Sequence, residues 1–188
     1  MDGNYVRLGA HPSGHSDVTL VEKNNIHKFM EGGKEHDIML LHLTVELTTK
    51  DTTFAKPPDR SNPPDPSKTS KPKIDEVVQI AGYAATAADP KNMKVIGQSA
   101  TLQCADQKVI TCVPTNVFSG QHTFCAQEHG VDTCSGDSGG GVVYKDQLYG
   151  VFVADNNKKA CSATSYSMDV CEYKKWISVT TGITSWEP

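Results

Sequence analysis

The residues best equipped for chemistry form one unbroken string, Cys134-Ser135-Gly136-Asp137-Ser138-Gly139-Gly140. A serine between glycines, after Gly-Asp, lets backbone N–H groups point at one locus with no side chain in the way. A developing oxyanion needs donors fixed where its charge appears. The same residues also suit a Gly-rich turn with a capping Ser and Asp, because these types dominate turns in general. The apolar pair Val142-Val143 that follows predicts a strand behind the string. Asp37, ahead of Ile38-Met39-Leu40-Leu41, reads on its own as an acid at the start of a strand.

Those residues must be positioned by short elements. Val6-Arg7-Leu8 and Val18-Thr19-Leu20-Val21-Glu22 predict strands. Asp37 to Val45 is the strongest strand candidate, followed by Glu46-Leu47-Thr48, with a turn at Gly32-Gly33 before it. Pro57, Pro58, Pro63, Pro64, Pro66 and Pro72 then crowd a polar stretch that cannot join a sheet ladder and predicts a surface connector. A second β-rich region runs through Val77–Tyr83, Ser99–Cys104, Gln107–Thr111, Gly141–Tyr144 and Leu148–Val153, with turns at Lys145-Asp146 and Asn156-Asn157. Val170 to Val179 predicts one helix, with Val170, Tyr173, Ile177 and, at the margin, Trp176 on its buried face. Short strands with a single late helix indicate an all-β barrel class. The division is residues 1–50, a connector at 51–76, a second β region at 77–169, and a C-terminal helix and tail at 170–188.

Composition removes several function classes. The chain has 188 residues, 18 Lys+Arg against 22 Asp+Glu and a net charge of −4, a length suited to one domain or two small ones. A charged fraction of 21% with 37% hydrophobic residues fits neither a disordered acidic tail nor a membrane bundle. No basic cluster offers phosphates a partner, which argues against nucleic acid. Six cysteines, at 104, 112, 125, 134, 161 and 171, include no Cys-x-x-Cys pair and no zinc-like spacing, so neither a metal nor an organic cofactor is expected. An even count at wide spacing fits disulfides and an oxidising compartment. The opening Met1-Asp2-Gly3-Asn4-Tyr5-Val6-Arg7 lacks the apolar core of a signal peptide, so a missing N-terminal part is expected.

Residues 134–140 resemble the nucleophile motif of the chymotrypsin-like (trypsin-family, peptidase S1) serine endopeptidases. His36-Asp37-Ile38-Met39-Leu40-Leu41-His42-Leu43 resembles the strand that carries that family's catalytic aspartate. Leu8-Gly9-Ala10-His11 resembles the strand shortly after its catalytic histidine. Ala81-Gly82-Tyr83 stands where the family opens its second barrel, and Cys171-Glu172-Tyr173-Lys174-Lys175-Trp176-Ile177 resembles its C-terminal helix. The tone is closest to granzyme-like members. The resemblance implies a double antiparallel β-barrel of the chymotrypsin type, its first barrel incomplete in residues 1–50, with a C-terminal α-helix.

It further implies Ser138 as nucleophile, Asp37 as the residue that orients the catalytic imidazole, and the N–H groups of Gly136 and Ser138 as the oxyanion hole. Asp137 would receive a new N-terminal ammonium after zymogen cleavage. Asp132, six residues before Ser138, would floor a primary pocket walled by Thr133 and rimmed by Val153, Ala154 and Asp155, and would select Arg or Lys. Disulfides Cys112–Cys125 and Cys134–Cys161 are implied, a third bridge is replaced by Val78 and Tyr144, and the pairing of Cys104 and Cys171 stays open. The family's base lies in an Ala-Ala-His-Cys string. The seven histidines, at 11, 15, 27, 36, 42, 122 and 129, include none in such a string. His11 falls downstream of the base's place in the resemblance and reads as an exposed turn residue. Little or no turnover is therefore expected of these 188 residues as written. The function expected is a monomeric extracellular or granule endopeptidase acting on polypeptide substrates and meeting protein inhibitors. The alternative is a non-catalytic homologue that serves as a binding or decoy module.

Overall fold

The computed structural model describes residues 4–11, 17–44, 54–58 and 71–183. The chain divides into two units, Met1–Phe54 and Ala55–Pro188.

The first unit contains two antiparallel hairpins. Strand β1 (Asn4–Leu8) pairs with β2 (Asp17–Val21), Tyr5 opposite Leu20. Strand β3 (Ile26–Glu31) pairs with β4 (Lys34–Leu41). The expected turn at Gly32-Gly33 closes this second hairpin, with φ of 56° and 80°. Positive φ at both central positions matches the twist of the strands and favours glycine. Strand periodicity sorts the side chains of β4: His36 and Ile38 are buried while Asp37 and Met39 are exposed. The His36 ring stands edge-on to Phe29 at 4.9 Å between centroids. Strand β3 was not expected from the sequence. The anticipated continuation through Val45 to Thr48 lies outside the described residues.

The second unit is a closed six-stranded barrel in the ring order β10-β7-β6-β5-β8-β9. Its strands are β5 (Val77–Ala84), β6 (Gln98–Ile110), β7 (Thr123–Gln127), β8 (Gly141–Tyr144), β9 (Gln147–Asp155) and β10 (Ser165–Asp169). Every pairing in it is antiparallel. Val78, Ile80, Val109, Phe124, Val142 and Phe152 fill the interior, and burying each such side chain contributes about 1.5–3 kcal/mol. Val78 and Tyr144, at the positions of the lost bridge, belong to the same core, where Tyr144 meets Tyr149 edge-on at 5.6 Å. The segments Ser99–Cys104 and Gln107–Thr111 prove to be one strand, because β5 pairs without a break from Val78↔Gln107 to Gly82↔Gln103. Cys112 and Cys125 are disulfide-bonded, with their Cα atoms 5.1 Å apart.

Helix α1 (Val170–Thr181) packs on β9 and buries Val170, Tyr173 and Ile177 of the expected face, together with Cys171, while Trp176 is only half-buried. Asp169 caps it by accepting from the Cys171 N–H and also pairs with Lys71, and Gly182 ends it at φ 73°. The described ends of the Pro-rich stretch are tied down rather than loose. Lys56 bridges Gln147, and Pro58 and Pro72 are buried, because a proline ring is apolar and can be covered where its missing N–H is not needed.

Candidate active site

The Gly-Asp-Ser-Gly-Gly string lies on the loop between β7 and β8. Two tight turns shape it: the Asp137 N–H donates to Cys134 O at 3.1 Å, and the Gly140 N–H donates to Asp137 O at 3.0 Å. Gly136 at φ 114° and Gly139 at φ 88° occupy conformations that a side chain would strain. Strand β9 clamps the far side, with the Gly139 N–H donating to Phe152 O at 2.7 Å and the Phe152 N–H to Gly140 O at 2.8 Å. Ser138 is exposed, and its hydroxyl donates to the Val153 carbonyl at 3.2 Å. Among the described residues, the N–H groups of Gly136 and Ser138 are engaged by no protein acceptor. They are two open donors beside one hydroxyl, an arrangement able to hold an oxyanion.

Asp137 points the other way, under the loop. Its Oδ1 accepts from the Ala84 N–H at 3.1 Å and its Oδ2 from the Cys134 N–H at 2.9 Å. These two backbone amides satisfy the carboxylate within the second unit. Glycine at position 82 leaves room for the carboxylate, since an added Cβ would overlap Asp137 Oδ1, lie 2.7 Å from its Cγ and force it to move.

Beside the loop opens a cavity of about 340 Å³, lined among others by Asp132, Thr133, Cys134, Lys94 and Cys161. Asp132 Oδ1 accepts from the Thr133 N–H and from Lys94 Nζ, both at 2.9 Å, and Asp155 Oδ2 accepts from the same Nζ at 2.7 Å. The Lys94 side chain is only 11% exposed, those of Asp132 and Asp155 7% and 18%. A small hairpin presents the lysine. Asp89 Oδ1 accepts from the Lys91 and Met93 N–H groups at 2.9 and 2.8 Å. The Lys94 N–H donates to Lys158 O at 2.9 Å, and Ala160 N–H to Asn92 O at 3.0 Å.

One expectation needs correction. Cys134 and Cys161 line the same cavity but are not bridged. The Cys134 Sγ–H is directed at Val95 O at 3.5 Å, while Cys161 sits in a left-handed conformation at φ 60°. Among the described residues, Cys104 is likewise unbridged.

Ser138, Gly136, Asp137, Asp132, Thr133, Val153, Ala154 and Asp155 all lie in the second unit, on the β7–β8 loop and the end of β9. Asp37 lies in the first, exposed on β4. His11 is an exposed turn residue. Sequence reasoning missed Lys94, a lone lysine in a mixed segment with no motif around it, and the Ala84 N–H that holds Asp137.

A closed antiparallel barrel with a C-terminal helix, carrying the Gly-Asp-Ser-Gly-Gly loop beside a cavity that Asp132 helps to line, has the build of a chymotrypsin-like serine protease. The family model for trypsin matches residues 2–177, and the chain belongs to the trypsin family. It is similar to trypsin-3 of Salmo salar, 38% identical over 86 residues, or 43% of this chain and 36% of that protein. Among solved structures it is similar to neuropsin, a serine protease expressed in the limbic system of mouse brain, at TM-score 0.70 and 20% identity, covering 96% of this chain and 80% of that one. It is also similar to a scabies mite inactivated protease paralogue, at TM-score 0.61 and 26% identity, covering 86% and 68%. The chain spans between 36% and 54% of the length of the curated relatives it matches.

Proposed function

We propose that this chain carries the nucleophile and primary pocket of a serine endopeptidase that hydrolyses polypeptides through an acyl-enzyme at Ser138. The observation that carries the reading is the Ser138 hydroxyl beside the unengaged N–H groups of Gly136 and Ser138. In the reaction, Ser138 Oγ adds to the scissile carbonyl and its proton passes to an imidazole oriented by Asp37. The carbonyl oxygen becomes an oxyanion held by the two amides. Collapse expels the amine, which takes the proton, and water then hydrolyses the ester. Asp132 at the pocket floor favours Arg or Lys before the cut, because a buried carboxylate is relieved by a cation and not by a neutral chain. Asp137 is the residue that an activating N-terminal ammonium would engage, in exchange for the two backbone amides it now accepts from. The Cys112–Cys125 disulfide supports secretion or granule storage, and among the described residues no helix is long and apolar enough to cross a membrane.

The base is the critical component. Within the second unit the Ser138 proton is directed at the Val153 carbonyl rather than at an imidazole. That observation, with the likeness to a paralogue described as inactivated, favours a second reading: a non-catalytic homologue that binds polypeptides or inhibitors.

A fluorophosphonate probe separates the two. The 188 residues as written should label at Ser138 at least about a thousandfold more slowly than a complete trypsin-family protease, because losing a triad member costs on the order of 10⁴–10⁶ in kcat. Joined to a segment bearing the Ala-Ala-His-Cys string, the chain should label rapidly and cleave after Arg or Lys more readily than after Phe or Leu. Rapid stoichiometric labelling of the unextended chain refutes the need for that histidine. No labelling of the extended chain establishes the non-catalytic reading.

A further inference from the structure

We propose that Lys94 is a specificity-determining residue, a built-in cation that occupies the acidic end of the pocket and competes with the basic side chain of a substrate. The inference rests on reading Asp132 as the pocket floor. Lys94 Nζ bridges Asp132 and Asp155 at 2.9 and 2.7 Å and is nearly nine-tenths removed from water. An ammonium or guanidinium from a substrate would seek the same carboxylate oxygens, so the two cations cannot both be fully seated there.

The internal cation has the advantage of preorganisation. Asp89 shapes the turn that precedes it, an antiparallel bridge joins Ala88 to Lys94, and a second joins Met93 to Lys159. The backbone on both sides of the lysine is therefore ordered by folding, and only the side chain must settle. Its four-carbon stem stays flexible, and nothing covalent holds the head group. Lys94 thus acts as a competitor that yields to a better cation. Two carboxylates against one ammonium leave a formal charge of −1 at the site. Binding a monocation by displacing Lys94 keeps that balance, whereas removing Lys94 leaves two largely buried carboxylates with neutral donors only.

The selectivity that follows is for amidinium, guanidinium or ammonium groups able to displace the lysine, with apparent affinity reduced in proportion to the fraction of molecules in which Lys94 has withdrawn. If that fraction is at most about a tenth, apparent affinity falls at least about tenfold.

The test uses p-aminobenzamidine, whose fluorescence rises on leaving water, with the whole chain and two variants. Lys94→Met should bind it at least about tenfold more tightly than the unmodified chain, and adding Asp132→Asn should remove the gain. Equal affinities for the unmodified chain and Lys94→Met overturn the proposal, as does absence of binding by both. Should Lys94→Met fail to fold, the unmodified chain decides. Lys94 should be among the slowest lysines to acetylate, and p-aminobenzamidine should accelerate its acetylation selectively; acetylation of Lys94 unaffected by saturating probe overturns the proposal. Neither readout depends on the reactivity of Ser138, so failure of the peptidase reading is seen separately in the fluorophosphonate experiment.

Discussion

Replacing Gly82 by alanine tests how the reactive loop is held up. Gly82 lies on β5 directly against the Asp137 carboxylate, and a methyl group there would stand 2.7 Å from its Cγ. The backbone of Gly82 is outside the left-handed region, so the cost is purely steric. The carboxylate must rotate away and surrender its bonds from the Ala84 and Cys134 N–H groups, at 3.1 and 2.9 Å. Hydrogen bonds to a charged acceptor are each worth about 1.5–3 kcal/mol, a ceiling of about 3–6 for the pair. Asp137 is half-buried, so water softens the loss, and alanine stiffens the unfolded chain by about 0.4–1 kcal/mol. The expected destabilisation is about 2–4 kcal/mol by urea unfolding with the disulfide intact. Asp137→Ala alone should cost a similar amount, and Gly82→Ala added to it almost nothing further, because the clash partner is gone. A Gly82→Ala cost under about 0.5 kcal/mol, or full additivity of the two changes, would refute the reasoning.

Gly150→Ala should destabilise by about 1–3 kcal/mol in the same assay, since its Cβ would meet the Phe124 ring at 2.6 Å inside the barrel. Cys112→Ser with Cys125→Ser should lower stability by about 3 kcal/mol, the value for a short loop such as this separation of 13, and should make the melting temperature insensitive to reductant. The Lys73 N–H donates to Glu76 Oε2 at 2.7 Å and holds the Glu76 carboxyl below the usual carboxylate range. Its contribution to stability is then present above the ordinary carboxylate pKa and lost as pH falls through the lowered one, so Glu76→Gln should flatten the acid limb of the stability profile, and an NMR titration of Glu76 should show the downward shift directly.

The barrel and helix were legible where one physical signal dominated. Gly141–Tyr144 emerges with the bounds read from its apolar run, and α1 buries Val170, Tyr173 and Ile177 of the face its period selects, though Trp176 only in part. The break assumed at Ala105-Asp106 is no break, because a polar residue on an exposed strand face costs nothing and Gln79 pairs with Asp106 across the ladder. Strand β10, Ser-Tyr-Ser-Met-Asp, is buried at every position. It shows no alternation because Tyr166, outside the barrel's core cluster, is covered as well, its ring 5.5 Å from that of Phe118, and so the strand resisted a period-two reading. The loop of Ser138 was readable because its constraints are local glycines. Lys94 was not, because its partner Asp155 lies 61 positions away and only the folded barrel brings them together.

The clamp that β9 places on the Gly139-Gly140 turn has a consequence for biosynthesis. The loop is held from behind by Ala84, 53 residues before Asp137, and from the front by Phe152, after it in the chain. The barrel seam between β5 and β8 likewise joins Gln79 to Val143. A nascent chain that has emerged only as far as Ser138 therefore lacks the front clamp, because Phe152 is not yet made. Such long-range closure is slow and follows the local hairpins. The front clamp can form only after β9 has left the ribosome, so the Ser138 loop is held from both sides only once most of the barrel has been made.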